Sequence, residues 1–266
     1  MDYLIVRKQI ENIANCDSAD IDWLFCEVLN IKRSKLVTKP QVNNKQYKQL
    51  LKYAKRLQKG MPLSVALGKT EFYGLPILVN KHVLTPRPET EELADYVIKD
   101  ITGKNNINVL DMCSGSGAIG IAIAKNTSAS VTCADISHFA IKTTLKNAKL
   151  NGVCIRVIKS NMLNNVWGNF DYILCNPPYI AYGDSDVETR VHKFEPHLAL
   201  YAQDNGYWFY NYLAQYASSY MLSGSKLCLE VGINMAKKVA NLFKDFATTE
   251  IIKDMQGIER MVIVTK

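Results

Sequence analysis

The 266-residue sequence predicts an α/β protein, a doubly wound and mostly parallel seven-stranded sheet with its last strand antiparallel, preceded by a small N-terminal helical domain. Three observations carry that prediction. From residue 108 onward, short β-prone apolar runs alternate with helical segments, the pattern of parallel strands joined by crossover helices. Between the last two runs stands only Met255-Gln256-Gly257-Ile258-Glu259, too short for a crossover, so those strands must form an antiparallel hairpin. Before residue 70 the apolar spacing is helical throughout.

In chain order, Leu4, Ile5, Ile10 and Ile13 begin a first helical pattern, and Asp20 or Asp22 is placed to cap a second containing Trp23, Leu24, Phe25, Val28 and Leu29. A third, from about Asn44 to Lys59, puts Lys45, Lys48, Lys52, Lys55 and Lys59 on one face and Tyr47, Leu50, Leu51, Ala54 and Leu57 on another. Gly60, Pro62, Gly68, Gly74 and Pro76 then break the periodicity, and the pieces around Phe72 and Leu78 read as a hairpin. The expected organisation is a helical bundle over 1–70, a β-hairpin linker over 71–82 and an α/β domain over 83–266. In that last domain strands are expected at 109–112, 130–134, 155–158, 171–175, 226–231, 249–253 and 261–264. Helices at 118–125, 138–150, about 207–221 and 235–246 separate most of them.

A hydrophobic content of 48% supports a substantial core. No apolar run approaches the roughly 18–20 residues that cross a bilayer, and the first residues lack a signal peptide's pattern, so a cytoplasmic protein with no membrane partner is expected. Seven cysteines, odd in number and without a C-x-x-C pair, argue against a disulfide framework or zinc, and no metal is expected. The net charge of +7 is uneven: residues 1–75 hold thirteen Lys or Arg against seven Asp or Glu. Electrostatic recognition of a partner therefore belongs to the N-terminal part, unless those bases are solvated helix faces only.

The loop Asp111-Met112-Cys113-Ser114-Gly115-Ser116-Gly117-Ala118-Ile119-Gly120 joins the first sheet strand to its helix. Glycines there allow a tight turn close to a ligand, and the helix N-terminus offers free N–H groups, a geometry suited to a nucleotide-like cofactor. The Rossmann-like spacing Gly115, Gly117, Gly120 also fits a dehydrogenase. Asp111 separates the readings, because an acid can meet a cationic methionine end, directly or through water, whereas a pyrophosphate has no use for one. Asp135, closing the second strand, is placed to accept ribose hydroxyls and fits either cofactor.

The deciding segment is Asn176-Pro177-Pro178-Tyr179, after the apolar run that ends at Cys175. Two prolines force the chain out of the sheet into a semi-rigid loop. The Asn176 side-chain oxygen and the Pro177 carbonyl can accept from an –NH2 group, and Tyr179 can lie against a planar group. Strand ends one, two and four deliver all three features to one edge of the sheet, where ligands of open α/β sheets bind. That conjunction is the architecture of a class I S-adenosylmethionine-dependent methyltransferase acting on an amide or exocyclic amine.

The sequence resembles the HemK/PrmC family of protein-(glutamine-N5) methyltransferases. Four segments carry the resemblance: Leu84-Thr85-Pro86-Arg87-Pro88-Glu89-Thr90-Glu91-Glu92, the 111–120 loop, Asn176-Pro177-Pro178-Tyr179-Ile180, and Phe194-Glu195-Pro196-His197-Leu198-Ala199-Leu200. The turn Asp254–Arg260 is similar to the family's final turn. The resemblance implies methyl transfer from S-adenosylmethionine, leaving S-adenosylhomocysteine, to the glutamine of the Gly-Gly-Gln loop of class I peptide chain release factors. It implies Asn176, Pro177, Pro178 and Tyr179 as the catalytic clasp, with Arg87 and Glu89 as further substrate contacts. The expected cofactor residues are Asp111, Cys113, Ser114, Gly115, Ser116, Gly117, Asp135, Ile136, Asn161, Met162 and Asn176. Two positions depart from the family pattern: Cys113 stands where a glycine is usual, tolerable if φ is negative there, and Asn161-Met162 stand where an Asp and a bulky residue are frequent. Weaker cofactor binding, rather than lost activity, is the expected result.

Because the sulfonium methyl is already activated, the enzyme's task is alignment, and no general base of tuned pKa is required. His192 and His197 read as surface or packing residues, with no third ligand in view. The aromatic series Tyr201, Tyr207, Trp208, Tyr210 and Tyr212 reads as packing rather than a base-stacking platform. A DNA adenine-N6 or RNA exocyclic-amine methyltransferase is the alternative; the nearly neutral charge of residues 76–266 disfavours direct nucleic-acid binding there. A non-catalytic cofactor sensor is the third reading, and a monomer is expected.

Overall fold

Along the central strands every second residue faces one side of the sheet, and both sides are covered by helices, which is why these strands are apolar throughout. The computed structural model describes residues 1–184 and 188–266. The chain divides into two units: Met1–Lys69 together with Glu188–Phe194, and the remainder from Thr70 to the C-terminus.

The first unit contains α1 (Tyr3–Ala14), α2 (Ser18–Leu29), α3 (Asn44–Leu57) and α4 (Leu63–Leu67), with a 3-10 turn at Arg33–Thr38. Neither α4 nor the 3-10 turn is evident from periodicity. Asp2 caps α1, its carboxylate accepting from the Leu4 and Ile5 amides, and this sets the helix phase. The buried stripe is therefore Tyr3, Val6, Ile10 and Ala14, while Leu4 and Ile5, expected inside, are exposed. Similarly, α2 starts after Asp17 rather than at Asp20 or Asp22. Asp22 instead takes Arg7 at 2.6 Å and Arg33 at 3.0 Å. A capping box between Asn43 and Gln46 opens α3, which buries Leu50, Ala54 and Leu57 and leaves its four lysines exposed, with Lys59, also exposed, just beyond its end.

The second unit opens with β1 (Lys69–Phe72) and β2 (Leu75–Leu78), a two-stranded sheet turning at Tyr73-Gly74, both in the left-handed region. Then come α5 (Pro88–Ile101), β3 (Asn108–Met112), α6 (Ala118–Asn126), β4 (Ser130–Asp135), α7 (His138–Asn151), β5 (Arg156–Lys159) and β6 (Phe170–Cys175). The short β7 (Ile180–Ala181) pairs with β8 (Tyr201–Ala202); between them α8 (Thr189–Phe194) groups with the helical unit. The chain closes with α9 (Trp208–Tyr216), β9 (Met221–Glu230), α10 (Ala236–Leu242), β10 (Thr248–Lys253) and β11 (Glu259–Thr265).

The main sheet has the order β10-β11-β9-β6-β3-β4-β5. All neighbours are parallel except β11, which is antiparallel to both β10 and β9, as the short link before it requires. From β3 the chain winds one way to β4 and β5, then returns to the other flank of β3 as β6. A crevice therefore opens beyond the C-terminal ends of β3 and β6, where Met112 pairs with Cys175. Val109, Val131, Cys133, Leu174 and Ile263 pack under α5, α6 and α7, and Leu110, Met112, Ile173, Leu229 and Val262 under α9 and α10. Among the described residues no helix is long and apolar enough to cross a membrane.

Candidate active site

A cavity of about 400 Å³ occupies that crevice. Its walls come from the loops after β3 (Met112, Cys113, Gly115), β4 (Asp135, Ile136, Ser137), β5 (Ser160, Asn161, Met162) and β6 (Asn176, Pro178). His82, Val83, Leu84, Phe139, Ala140, Pro196–Ala199, Trp208 and Phe209 complete it. Of the sequence-expected residues, Cys113, Gly115, Asp135, Ile136, Asn161, Met162, Asn176 and Pro178 line the cavity.

The loop after β3 is held by its own backbone and by α7. Gly115, with φ 55°, donates its amide to Asp135 Oδ2 at 2.8 Å. The other carboxylate oxygen of Asp135 accepts from the Ser137 amide at 2.8 Å. Behind the loop, Thr144 donates to the Gly115 carbonyl and Asn147 to that of Ser116. Gly117 and Gly120 are required by close approach: a Cβ would lie 2.6 Å from Thr144 at the first and 2.4 Å from Cys133 Sγ at the second. Ser114, Ser116 and Gly117 thus build the loop from behind and lie off the cavity wall.

Two expectations are corrected here. Asp111 does not reach the cavity: it lies on the opposite side of β3, wholly buried, where Oδ2 accepts from the Gly120 amide at 2.9 Å and Oδ1 has no partner among the described residues. Burial pushes its carboxyl up to about 7, against the pull of the Gly120 hydrogen bond. Cys113, tolerable at negative φ, sits at φ 56°, the left-handed region that glycine occupies without strain. Met162, on the cavity wall, has φ 48°, with Ser160 Oγ donating to its carbonyl at 2.6 Å.

The cavity fits S-adenosylmethionine. Asp135 has one hydrogen bond on each oxygen and so keeps acceptor capacity for adjacent hydroxyls, while Ile136, Phe139 and Met162 offer apolar walls to a planar base. Asn161 is exposed at the rim, where its amide can meet a polar edge of that base.

The loop after β6 is braced differently. Ile180 donates to the Leu200 carbonyl at 3.0 Å, tying β7 to β8. The Tyr179 carbonyl presses on Gly206, where a Cβ would be 2.2 Å from it, and the Tyr179 ring lies against Gly232. Tyr179 and Pro177 therefore lie off the cavity wall. Burial, with Glu230 nearby, pushes the Tyr179 phenol up to about 12. The Asn176 amide donates through Nδ2 to Thr90 Oγ1 at 3.1 Å, and Thr90 Oγ1 donates to Glu230 Oε2 at 2.7 Å.

Thr90 belongs to a segment in which neighbouring side chains hold separate parts of the unit. Arg87 pairs with the buried Glu195 at 2.7 Å, Glu91 accepts from the Tyr73 amide and Glu92 from the Met255 amide. Pro88 opens α5 at its first position, with Glu89 and Glu91 in the first turn. Arg87 and Glu89 do not line the cavity but contribute their charges at Tyr179. Sequence reasoning missed Thr90 and Glu230; the available signal was an acid inside the apolar run of β9. It also missed Phe139 and Phe209, which look like ordinary helix residues. His197 lines the cavity, and the described residues contain no cluster of three metal-ligating side chains.

Residues 11–68 match the PrmC N-terminal domain and residues 91–206 the methyltransferase small domain. A release factor glutamine methyltransferase of Flavobacterium psychrophilum is 36% identical, covering 93% of this chain and 93% of that protein. One from Streptococcus pneumoniae is 38% identical over 76% of this chain and 74% of its own, and one from Coxiella burnetii 31% over 98% and 96%. Among solved structures, a Pyrococcus furiosus methyltransferase superposes with a TM-score of 0.50 at 19% identity, covering 69% of this chain and 88% of that one. The T. thermophilus 16S rRNA N2 methyltransferase RsmC, in complex with AdoMet and guanosine, gives 0.54 at 17% identity, covering 74% and 49%. These two share the fold, and the full-length relatives go further: the chain belongs to the release factor glutamine methyltransferase family.

Proposed function

We propose that this protein transfers the methyl group of S-adenosylmethionine to the side-chain amide nitrogen of the glutamine in the Gly-Gly-Gln loop of class I release factors. The observation that carries it is the meeting of Asn176 with the cofactor loop: Met112 and Cys175 are register partners, so the acceptor amide and Gly115 share one cavity. S-adenosylmethionine supplies an activated sulfonium methyl when bound. The chain's own work is to align a poor nucleophile, since an amide nitrogen shares its lone pair with its carbonyl. Asn176 Oδ1 takes no hydrogen bond from the described residues and is left to accept from the substrate –NH2, with the Pro177 carbonyl as second acceptor. Holding those two N–H groups favours positive charge building on the amide nitrogen, which then sheds its surplus proton to water. Asp135, Gly115, Asn161 and Met162 hold the cofactor; Pro178 and Tyr179 fix the clasp, and Arg87 and Glu89 shape its approach.

In this reading the helical part over 1–70 recognises the release factor through its exposed basic α3 face, 71–82 is the linker and 83–266 the catalytic domain. The protein works as a monomer in the cytoplasm. Replacing Asn176 by Ala should lower single-turnover methylation of a release factor on the order of 10²-fold while cofactor binding survives. A near-normal rate in that variant removes Asn176 from the reaction, and label appearing in nucleic acid instead of release factor removes the substrate assignment.

A further inference from the structure

An asparagine amide can present either its oxygen or its nitrogen to a cavity, and only the first accepts from a substrate –NH2. What fixes the choice lies behind Asn176. Thr90 is buried in the first turn of α5, and its single hydroxyl proton goes to Glu230 Oε2 at 2.7 Å. With that proton committed, Thr90 Oγ1 has only lone pairs left for its second partner, which must be the donor end of the amide; Nδ2 stands there at 3.1 Å. Glu230 is itself fixed, 4% exposed at the end of β9, with Tyr210 Oη donating to its backbone carbonyl at 2.9 Å. Burial pushes the Glu230 carboxyl up to about 7, while Thr90, Arg260 and the Asn176 amide pull the other way, toward the carboxylate that accepts from Thr90.

We propose that Glu230 and Thr90 are positioning residues for the methyl acceptor: the carboxylate polarises the Thr90 hydroxyl, which holds the Asn176 amide with its oxygen toward the substrate. The inference rests on the proposed methylation of a release-factor glutamine. Neither side chain lines the cavity, so the effect must run through Asn176 and show in turnover rather than in cofactor affinity.

The test uses the full-length protein, S-adenosylmethionine carrying a tritiated methyl group, and release factor. Thr90→Val should lower the single-turnover rate about 10- to 100-fold with the cofactor Kd unchanged within twofold, and Thr90→Ser should restore it to within about threefold of the parent. In an Asn176→Ala background, Thr90→Val should cost nothing further, because the group it positions is gone. Glu230→Gln, whose amide oxygen can still accept from Thr90, serves as the second probe if Thr90→Val fails to fold, with an expected loss of a few fold to tenfold. A parental rate in Thr90→Val, a parallel loss of cofactor affinity, or multiplicative losses in the double variant would overturn the inference. No label in release factor from the parent protein would instead overturn the functional reading on which it stands.

Discussion

The two sides of the cavity are made rigid by different means. On the cofactor side, the loop after β3 is held by groups close in the chain: Gly115 to Asp135, Thr144 to Gly115, Asn147 to Ser116. On the acceptor side, the loop after β6 is stiff through its prolines but its side chains are aimed by groups much farther off in the chain: Thr90 and Glu230 behind Asn176, and the bare face of Gly232 against the Tyr179 ring. A local support leaves glycines at readable spacing. A remote support leaves single residues with no pattern around them.

The tightest approach on the acceptor side is at Gly206. Gly206 has φ 89° and no room for a Cβ, which would meet the Tyr179 carbonyl oxygen at 2.2 Å. Gly206→Ala should therefore cost about 3 kcal/mol and misplace the loop after β6, so that methyl transfer falls far more than cofactor binding. Gly115→Ala is its counterpart on the cofactor side: φ is 55° but the nearest atom to a Cβ is 3.9 Å away, so the stability loss should be about 1–2 kcal/mol. The kinetic signature should be the reverse, a weakened cofactor Kd measured by calorimetry. Equal signatures for the two alanine variants would mean that the sides are not independent.

The next effect concerns pH. Asp111 has its carboxyl pushed up to about 7 in the folded chain, above its ordinary value of 3.8. The folded state then binds the extra proton between those values, so this group's stabilising contribution is full below about pH 4 and is lost as pH rises toward 7. Asp111→Asn removes that dependence. The difference in melting temperature between the variant and the parent should grow in the variant's favour from pH 5 to pH 8; a constant difference would show that Asp111 is ionised throughout.

The smallest effect is expected at Cys113. Its left-handed backbone costs a non-glycine residue roughly 1–2 kcal/mol, part of which glycine gives back as entropy in the unfolded chain. Cys113→Gly should raise stability by about 0.5–1 kcal/mol, seen as a shift of a few degrees or less in thermal unfolding. An unchanged or lower melting temperature would show that contacts of the thiol at the crevice outweigh the strain.

Much of this was legible in the sequence. The seven-stranded sheet followed from alternating runs, the antiparallel β11 from a link of five residues, and the cofactor loop from its glycines. Asp135 and Asn176 were placed on the cavity because the ends of parallel strands converge there. Asp111 was misread because its residue type was visible but its parity was not: in a strand, one step along the chain changes which face a side chain meets. Met112 therefore lines the cavity, while Asp111 goes under α6. The helix phase of α1 failed for a similar reason, since its cap residue, not its most apolar pair, decided which stripe turned inward. Thr90 and Glu230 could not be joined by inspection, being 140 residues apart.

That separation has a consequence for how the protein is made. The ties from the start of α5 reach across 108 residues to Glu195, 140 to Glu230 and 163 to Met255. Each closes a long loop, an entropic cost met only once the distant partner exists. As the chain leaves the ribosome, the loop that holds the cofactor has its nearby partners early, but the asparagine that meets the acceptor is not aimed until β9 has been synthesised. The site is thus completed late in synthesis, from the same turn of helix that carries its first ties.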